Sequence, residues 1–319
     1  MDLMSRANRP FTGIATFLRA PVCADLAQLD APIAVLGVPF DEGSPFMPGS
    51  RMAPRALREH SMRFVGGAGG LYNPETRRFL LADELSNGLI VDAGDVDIRP
   101  TAVETTFELI TSSVRTIVQR GAMPVVLGGD HSITWPVVRA FDEPIYVLHF
   151  DAHSDYLPFE LGLRYTNSHA FRHITAMPNL RGLTQIGIRS LRHSPAQVDE
   201  VERDGGRIIC MEEFRRLGPA GVSAHIPDGA ACYVSIDVDA MDMSLVPGCV
   251  SAEPNGMTYP ELRDALAAIA SRLKVVGFDF VEVNPLLDVG TGVTAYLGAH
   301  VVIEFLGHIC DSPIWKSRG

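Results

Sequence analysis

An α/β fold, a mostly parallel sheet covered by helices on both faces, follows from three features of the sequence. Short apolar runs recur along the chain and alternate with stretches of helical periodicity, the pattern left by parallel strands joined through crossover helices. With 319 residues, 46% of them hydrophobic, the chain can bury one large core. No repeat, low-complexity tract or linker divides it, so residues 1–319 read as one domain, with 1–30 as an irregular N-terminal arm.

The elements follow in order. Within the arm, Phe11, Ile14, Phe17 and Leu18 make an apolar stretch suited to lying across a neighbouring surface or subunit. The first strand is 33–38, followed by a Gly- and Pro-rich loop, 39–51. Pro54 then stands where a first-turn proline belongs and opens a helix over 54–60. Residues 66–70 form a flexible glycine turn that lacks the Gly-Lys-Ser/Thr of a phosphate loop. Strand 89–92 leads into Ala93-Gly94-Asp95, and Val103, Phe107, Ile110, Val114, Ile117 and Val118 give 103–119 one apolar helical face. Further strands are read over 123–127, 144–150, 183–188, 207–210, 231–236 and 275–280, with helices over 260–273 and about 293–310.

Three of these strands end in side chains of one chemical kind. Run 123–127 passes into Gly128-Gly129-Asp130-His131-Ser132, run 144–150 into Asp151-Ala152-His153-Ser154-Asp155, and run 231–236 into Asp237-Val238-Asp239. On an extended backbone side chains alternate faces, so Asp151, His153 and Asp155 point to one side. Carboxylates and imidazoles crowded at a strand mouth are costly unless a cation sits between them. One Asp-x-Asp at a strand end is commonly a turn or a helix cap, but three such segments together point to metal. Four Asp and two His are too many for one tetrahedral zinc and suit two divalent ions sharing carboxylates. Four carboxylates also balance the charge of two divalent cations.

A formal charge of -11 argues against nucleic acid or an anionic membrane as partner. No apolar run reaches the length of a membrane span, and the N-terminus lacks the apolar core of a signal peptide. The cysteines, at 23, 210, 232, 249 and 310, are odd in number and scattered, and read as buried thiols of a cytoplasmic protein. His149 reads as a core residue or one placed behind the ligands, while His60, His193, His225, His300 and His308 have no carboxylates clustered around them in sequence. Ser132 and Ser154 adjoin histidines but lie outside any Gly-x-Ser-x-Gly elbow.

The three metal-type segments, together with Glu282-Val283-Asn284-Pro285, resemble the four signature segments of the ureohydrolases, the arginase and agmatinase family. The resemblance extends to 37–43 and to Asp92-Ala93-Gly94-Asp95, and the arm and 294–306 resemble the agmatinase branch, with its guanidinobutyrase, guanidinopropionase and proclavaminate amidinohydrolase relatives. It implies a three-layer α/β/α fold and two divalent ions, manganese or, in some members, nickel. His131, Asp151, Asp155 and Asp237 would hold one ion, and His153, Asp151, Asp237 and Asp239 the other. Asp155 would orient the attacking hydroxide, Glu282 would receive a planar cationic guanidinium, and collapse of the tetrahedral intermediate would release urea and an amine. The family also implies homo-oligomers, trimers or hexamers, and a hetero-oligomer with a paralogue is compatible with the altered loops.

The departing amine needs a proton. Agmatinase-like chains carry a His-Gly-Thr-Pro-Phe-Arg segment where this chain has Tyr165-Thr166-Asn167-Ser168-His169-Ala170-Phe171-Arg172-His173. Without a gap the family histidine falls on Asn167, and with a two-residue deletion it falls on His169. The need for a donor selects His169 as general acid, with His173 in reserve as a surface or helix histidine.

Two loops depart from the family. Its Arg-Pro-Gly is Met47-Pro48-Gly49 here, preceded by Phe46, and its Pro-Gly-Thr-Gly-Thr-Pro is Pro247-Gly248-Cys249-Val250-Ser251-Ala252, with Met243 in place of a customary proline. If Phe46 and Met47 wall the pocket, they favour a short, neutral or alkyl tail, as in guanidine, an alkylguanidine or a biguanide, over arginine; they could equally pack an oligomer contact. A formimino hydrolase of the same fold and a non-catalytic subunit are the competing readings.

Overall fold

Four neighbouring strands end level with one another, and that alignment assembles the site. The structure is a computed structural model describing residues 9–64 and 70–317. Its strands are β1 (Ile33–Gly37), β2 (Leu71–Asn73), β3 (Arg78–Leu80), β4 (Ile90–Asp95), β5 (Met123–Leu127), β6 (Ile145–Phe150), β7 (Leu180–Ile188), β8 (Arg207–Cys210), β9 (Ala231–Asp237) and β10 (Lys274–Val281). Eight of them form a sheet in the order β4-β1-β5-β10-β9-β6-β7-β8. Every pairing in it is parallel. Leu127, Phe280, Ile236 and Phe150 stand in one register row across β5, β10, β9 and β6. The chain leaves β5 for β6 and returns to insert β9 and β10 between them, so the metal-type segments and Glu282 emerge side by side. In open α/β sheets the crevice beyond the carboxyl ends is where ligands bind.

The inner strands are largely apolar because both faces are covered. Along β5, Val125 and Leu127 face one core and Val126 the other. The first core packs against helices Ala53–Ser61, Tyr259–Arg272 and Val293–Asp311, and the second against Val103–Gln119, Thr134–Val138 and Ala170–Thr175. Thr258 and Glu261 form a reciprocal capping box at the start of Tyr259–Arg272. Arg58 ties helix Ala53–Ser61 to β4: Nε and Nη2 donate to the Asp92 carboxylate at 2.8 and 3.0 Å, and Nη1 to Asp95 at 2.6 Å.

Several expectations need correcting. Helix Val293–Asp311 is long and apolar enough to cross a membrane by length and composition, contrary to the sequence reading; 72% of its most apolar window is buried inside the fold, which accounts for its hydrophobicity. The hairpin β2–β3 and helices Pro195–Arg203 and Met211–Leu217 had no strong periodic signal, being short and rich in charge. The arm does not reach outward along its whole length. Phe17 and Leu18 are buried in the chain's own core, and the Phe17 N–H donates to Asp92 at 2.7 Å, whereas Phe11 and Ile14 are exposed. Cys210 is exposed and Cys23 and Cys249 are only partly buried, so just Cys232 and Cys310 fit the reading of buried thiols. Of the glycine turn read over 66–70, residues 66–69 lie outside the described residues.

Candidate metal centre

The ligand-type side chains meet as two groups that share Asp151. His131 Nδ1 lies 3.0 Å from Asp151 Oδ2, 3.2 Å from Asp155 Oδ2 and 3.1 Å from Asp237 Oδ2. His153 Nδ1 lies 3.3 Å from Asp151 Oδ1 and 3.1 Å from Asp239 Oδ2. Asp151 thus offers one oxygen to each group. Asp237 turns Oδ2 to the first group, and its Oδ1 accepts the Asp239 N–H at 2.8 Å. Period-two alternation does not explain the convergence as the sequence reading supposed. The strand stops at Phe150, and Asp155 is brought round by a left-handed backbone, φ 47°. Glu282 is also left-handed, φ 65°, and such strain in non-glycine residues clusters at functional sites.

A ring of polar groups behind the ligands aims them. His131 Nε2 meets Ser235 Oγ at 2.8 Å, and Ser235 donates to Asp279 Oδ1 at 2.6 Å, leaving Nδ1 for the cluster. His149 belongs behind the ligands: its Nε2 is 2.7 Å from Asp151 Oδ2 and its Nδ1 is 2.9 Å from Gln185 Nε2. Burial, together with the charges of His131 and His153, outweighs Asp151 and lowers His149 to about 4, so it is a neutral donor to Asp151. His153 Nε2 faces the Arg192 guanidinium and lies 3.5 Å from Glu253 Oε1.

The electrostatics are those of a site built for cations. Burial opposes charge on His131, yet Asp151, Asp155 and Asp237 hold it well above the ordinary imidazole value. Burial opposes charge on His153 too, and Asp239 and Asp151 push it up to about 12. Burial first, then the neighbouring carboxylates, raise Asp155, Asp237 and Asp239, whereas His149, His131 and His153 overcome burial to hold Asp151 well below the carboxylate range. Two protonated imidazoles therefore balance the carboxylates where two divalent ions could sit. The mixed oxygen and nitrogen donors, in two groups with one shared carboxylate, fit such a pair.

A cleft of about 240 Å³ opens onto His153, Asp155, Asp237, Asp239 and Glu282, with His131 and Asp151 fully buried beneath. Glu282 Oε1 accepts the His131 N–H at 2.9 Å and Asn167 Nδ2 at 3.1 Å. Burial, then the charge of Asp130, raises Glu282 to about 8. Phe46 lines the cleft with Ser44, Leu157 and Val250, but Met47 does not, which removes it from the expected wall.

His169 is also a correction. It is buried outside the cleft lining, with Nδ1 2.6 Å from Thr166 Oγ1 and Nε2 3.3 Å from the Pro158 carbonyl, so it is not placed to protonate a leaving group there. Asn167 and Ser168, from the same segment, face the cleft instead. His173 lies on helix Ala170–Thr175, stacked on Trp135.

Sequence reasoning passed over other lining residues. His193 faces the cleft, its Nε2 accepting the Ser154 N–H at 2.9 Å and its Nδ1 2.8 Å from the Ser190 carbonyl. Arg192 brings a cation to the wall where less charge was expected, paired with Glu253 at 3.3 Å. Away from the cleft, His300 has the single carboxylate of Glu304 4.0 Å away, one helical turn on. Cys249 reaches the Asp237 and Asp239 carboxylates, and burial followed by those charges and Glu282 raises its thiol well above the usual value. Arg192 carries no periodic or motif signal of its own, and Cys249 stood out only as part of a loop that departs from the family; the fold brings both to the ligands.

The profile of the Arginase family matches residues 31–307. Proclavaminate amidinohydrolase from Streptomyces clavuligerus is 33% identical, covering 95% of this chain and 95% of its own. Its solved structure superposes with a TM-score of 0.80 over 94% of this chain and 98% of that one. Guanidinopropionase from Pseudomonas aeruginosa is 34% identical over 95% of this chain and 93% of its own. The structure of formimidoylglutamase from Bacillus subtilis, 27% identical, covers 98% of this chain and 97% of its own with a TM-score of 0.82.

Proposed function

The chain belongs to the arginase family of metal-dependent hydrolases acting on C–N bonds, and we propose that it cleaves a small guanidino compound to urea and an amine. The observation that carries this reading is the Glu282 carboxylate, fixed by Asn167 and by the His131 N–H at the wall of a cleft whose floor is the two ligand groups. A planar guanidinium is the natural partner of such a carboxylate. One sheet carries every residue involved, so we treat 1–319 as a single catalytic unit with 1–30 as its arm.

Family members bind two divalent ions, here assigned to His131, Asp151, Asp155 and Asp237 on one side and to His153, Asp151, Asp237 and Asp239 on the other. When bound, the pair supplies a water made nucleophilic near neutral pH. With the ions bound, Glu282 would orient the guanidinium carbon toward that water, and Asp155 would accept its proton. The cleft wall offers Asn167 and Ser168 where an imidazole donor would stand, and both His193 nitrogens are engaged elsewhere. Asp155 would therefore be the group that returns the proton to the departing nitrogen. Manganese and nickel both suit the donors; nickel binds such sets more tightly, so cellular supply decides.

A cleft of about 240 Å³ is smaller than those that hold drug-sized ligands and supports a compact substrate such as guanidine, an alkylguanidine or a biguanide. Arg192 favours a second reading, a short guanidino acid whose carboxylate meets that guanidinium. We further read the assembly as a homo-oligomer, a trimer or hexamer, with a paralogous partner as the alternative. Urea release by the metal-loaded chain from guanidine, methylguanidine, a biguanide, agmatine and guanidinopropionate tests the proposal. The compact cations should turn over fastest. A preference for guanidinopropionate that Arg192→Ala abolishes would select the guanidino acid. Formamide from a formimino substrate, or no urea with both ions bound, would select a formimino hydrolase or a non-catalytic subunit.

A further inference from the structure

The donor set does not end with oxygen and nitrogen. Cys249 stands on the loop that returns to the cleft after Asp239, and its backbone is fixed from two directions. Cys249 bridges antiparallel to Val283, next to Glu282. The preceding residue, Gly248, donates its N–H to Thr294 Oγ1 at 2.7 Å and accepts the Asn284 N–H at 2.7 Å. The thiol is thereby held in the cleft wall, and Sγ and one carboxylate oxygen each from Asp237 and Asp239 lie within 4.8 Å of one another. A sulfur and an oxygen bound to one ion, at roughly 2.3 and 2.0–2.2 Å, stand about 3–4 Å apart at ordinary ligand angles. Three donors within 4.8 Å of one another close on a common ion by drawing together by up to about an ångström.

We propose that Cys249 is a thiolate donor to the divalent ion on the Asp239 side, giving that position a mixed oxygen, nitrogen and sulfur set. This rests on the dinuclear reading above. On loading, the S–H bond gives its proton to solvent, a sulfur–metal bond replaces a bound water, and no electron changes hands. The added negative charge is matched when a cationic guanidinium enters against Glu282. A soft donor shifts preference from manganese toward nickel, cobalt or zinc, so the two positions of this chain differ in the metal they select.

The test uses the full chain loaded with Co²⁺ or Ni²⁺ and desalted, read by elemental analysis and near-ultraviolet absorption. The native chain should hold two ions and show a thiolate-to-metal charge-transfer band. Cys249→Ser should lose the band, keep its fold, and discriminate less between nickel and manganese in a competition. Cys249→Asp, which keeps an anionic donor, should hold two ions without the band. Two bound ions with no band in the native chain, or a band unchanged in Cys249→Ser, overturns the assignment while leaving the dinuclear centre intact. Fewer than two ions in the native chain overturns both.

Discussion

Asn167 Nδ2 donates to Glu282 Oε1 at 3.1 Å, on the same oxygen that accepts the His131 backbone N–H at 2.9 Å. A residue at the cleft wall, a proposed metal ligand and the proposed recognition carboxylate are thus parts of one hydrogen-bonded unit. It fixes where a guanidinium would lie relative to the ligand groups.

Glu282→Gln removes the charge and keeps the shape. The variant should retain both ions while KM for a cationic substrate rises by at least about thirtyfold, the lower end of the 2–5 kcal/mol lost when one partner of a buried charge pair is removed. Steady-state kinetics with parallel metal analysis checks this. Unchanged kinetics would place recognition on another group.

His169→Gln should leave kcat within a few-fold of native, because both ring nitrogens are turned to Thr166 and Pro158. Loss of the Thr166 contact should cost about 1 kcal/mol of stability. A general acid contributes roughly 10²–10⁴ in rate, so a fall of that size would return the role to His169.

Metal loading should tighten as pH rises. In the metal-free chain His131 lies well above the ordinary imidazole value and His153 near 12, so both carry protons at neutral pH. An incoming cation must displace those protons, and lower pH favours the protonated, metal-free form. Titration calorimetry of manganese in buffers of different ionisation enthalpy should register net proton release. Loading that is indifferent to pH, with no proton released, contradicts the charge state derived for the two imidazoles.

Arg58→Ala should destabilise the fold by about 3–5 kcal/mol, because it leaves the Asp92 carboxylate buried without its cation. Urea unfolding of the metal-free chain measures it. A change below about 1 kcal/mol would mean that water reaches Asp92 freely.

Much of this was legible in the sequence. In a parallel sheet covered on both faces, strands are largely apolar, so β1, β5, β6 and β9 stood out, and the six metal-type residues were found at the ends of the last three. What stayed hidden depends on contacts between distant segments or on backbone conformations with no side-chain signature. The turn that brings Asp155 back to His131 is a left-handed dihedral, not an alternation. The register of 165–173 depended on whether a gap was allowed, and chemical need chose His169 where the fold put Asn167 at the wall. Arg192 and His193 each lie 39 residues from the residue they meet, His153 and Ser154, and nothing local marks them.

The central claim is that two divalent ions share Asp151 at the mouth of the sheet. Elemental analysis of the purified chain after loading with manganese or nickel, beside Asp237→Ala, tests it most directly. Two ions per native chain, with fewer ions and no urea from Asp237→Ala, is the predicted result. One ion or none in the native chain, or two ions and full activity in Asp237→Ala, would contradict it.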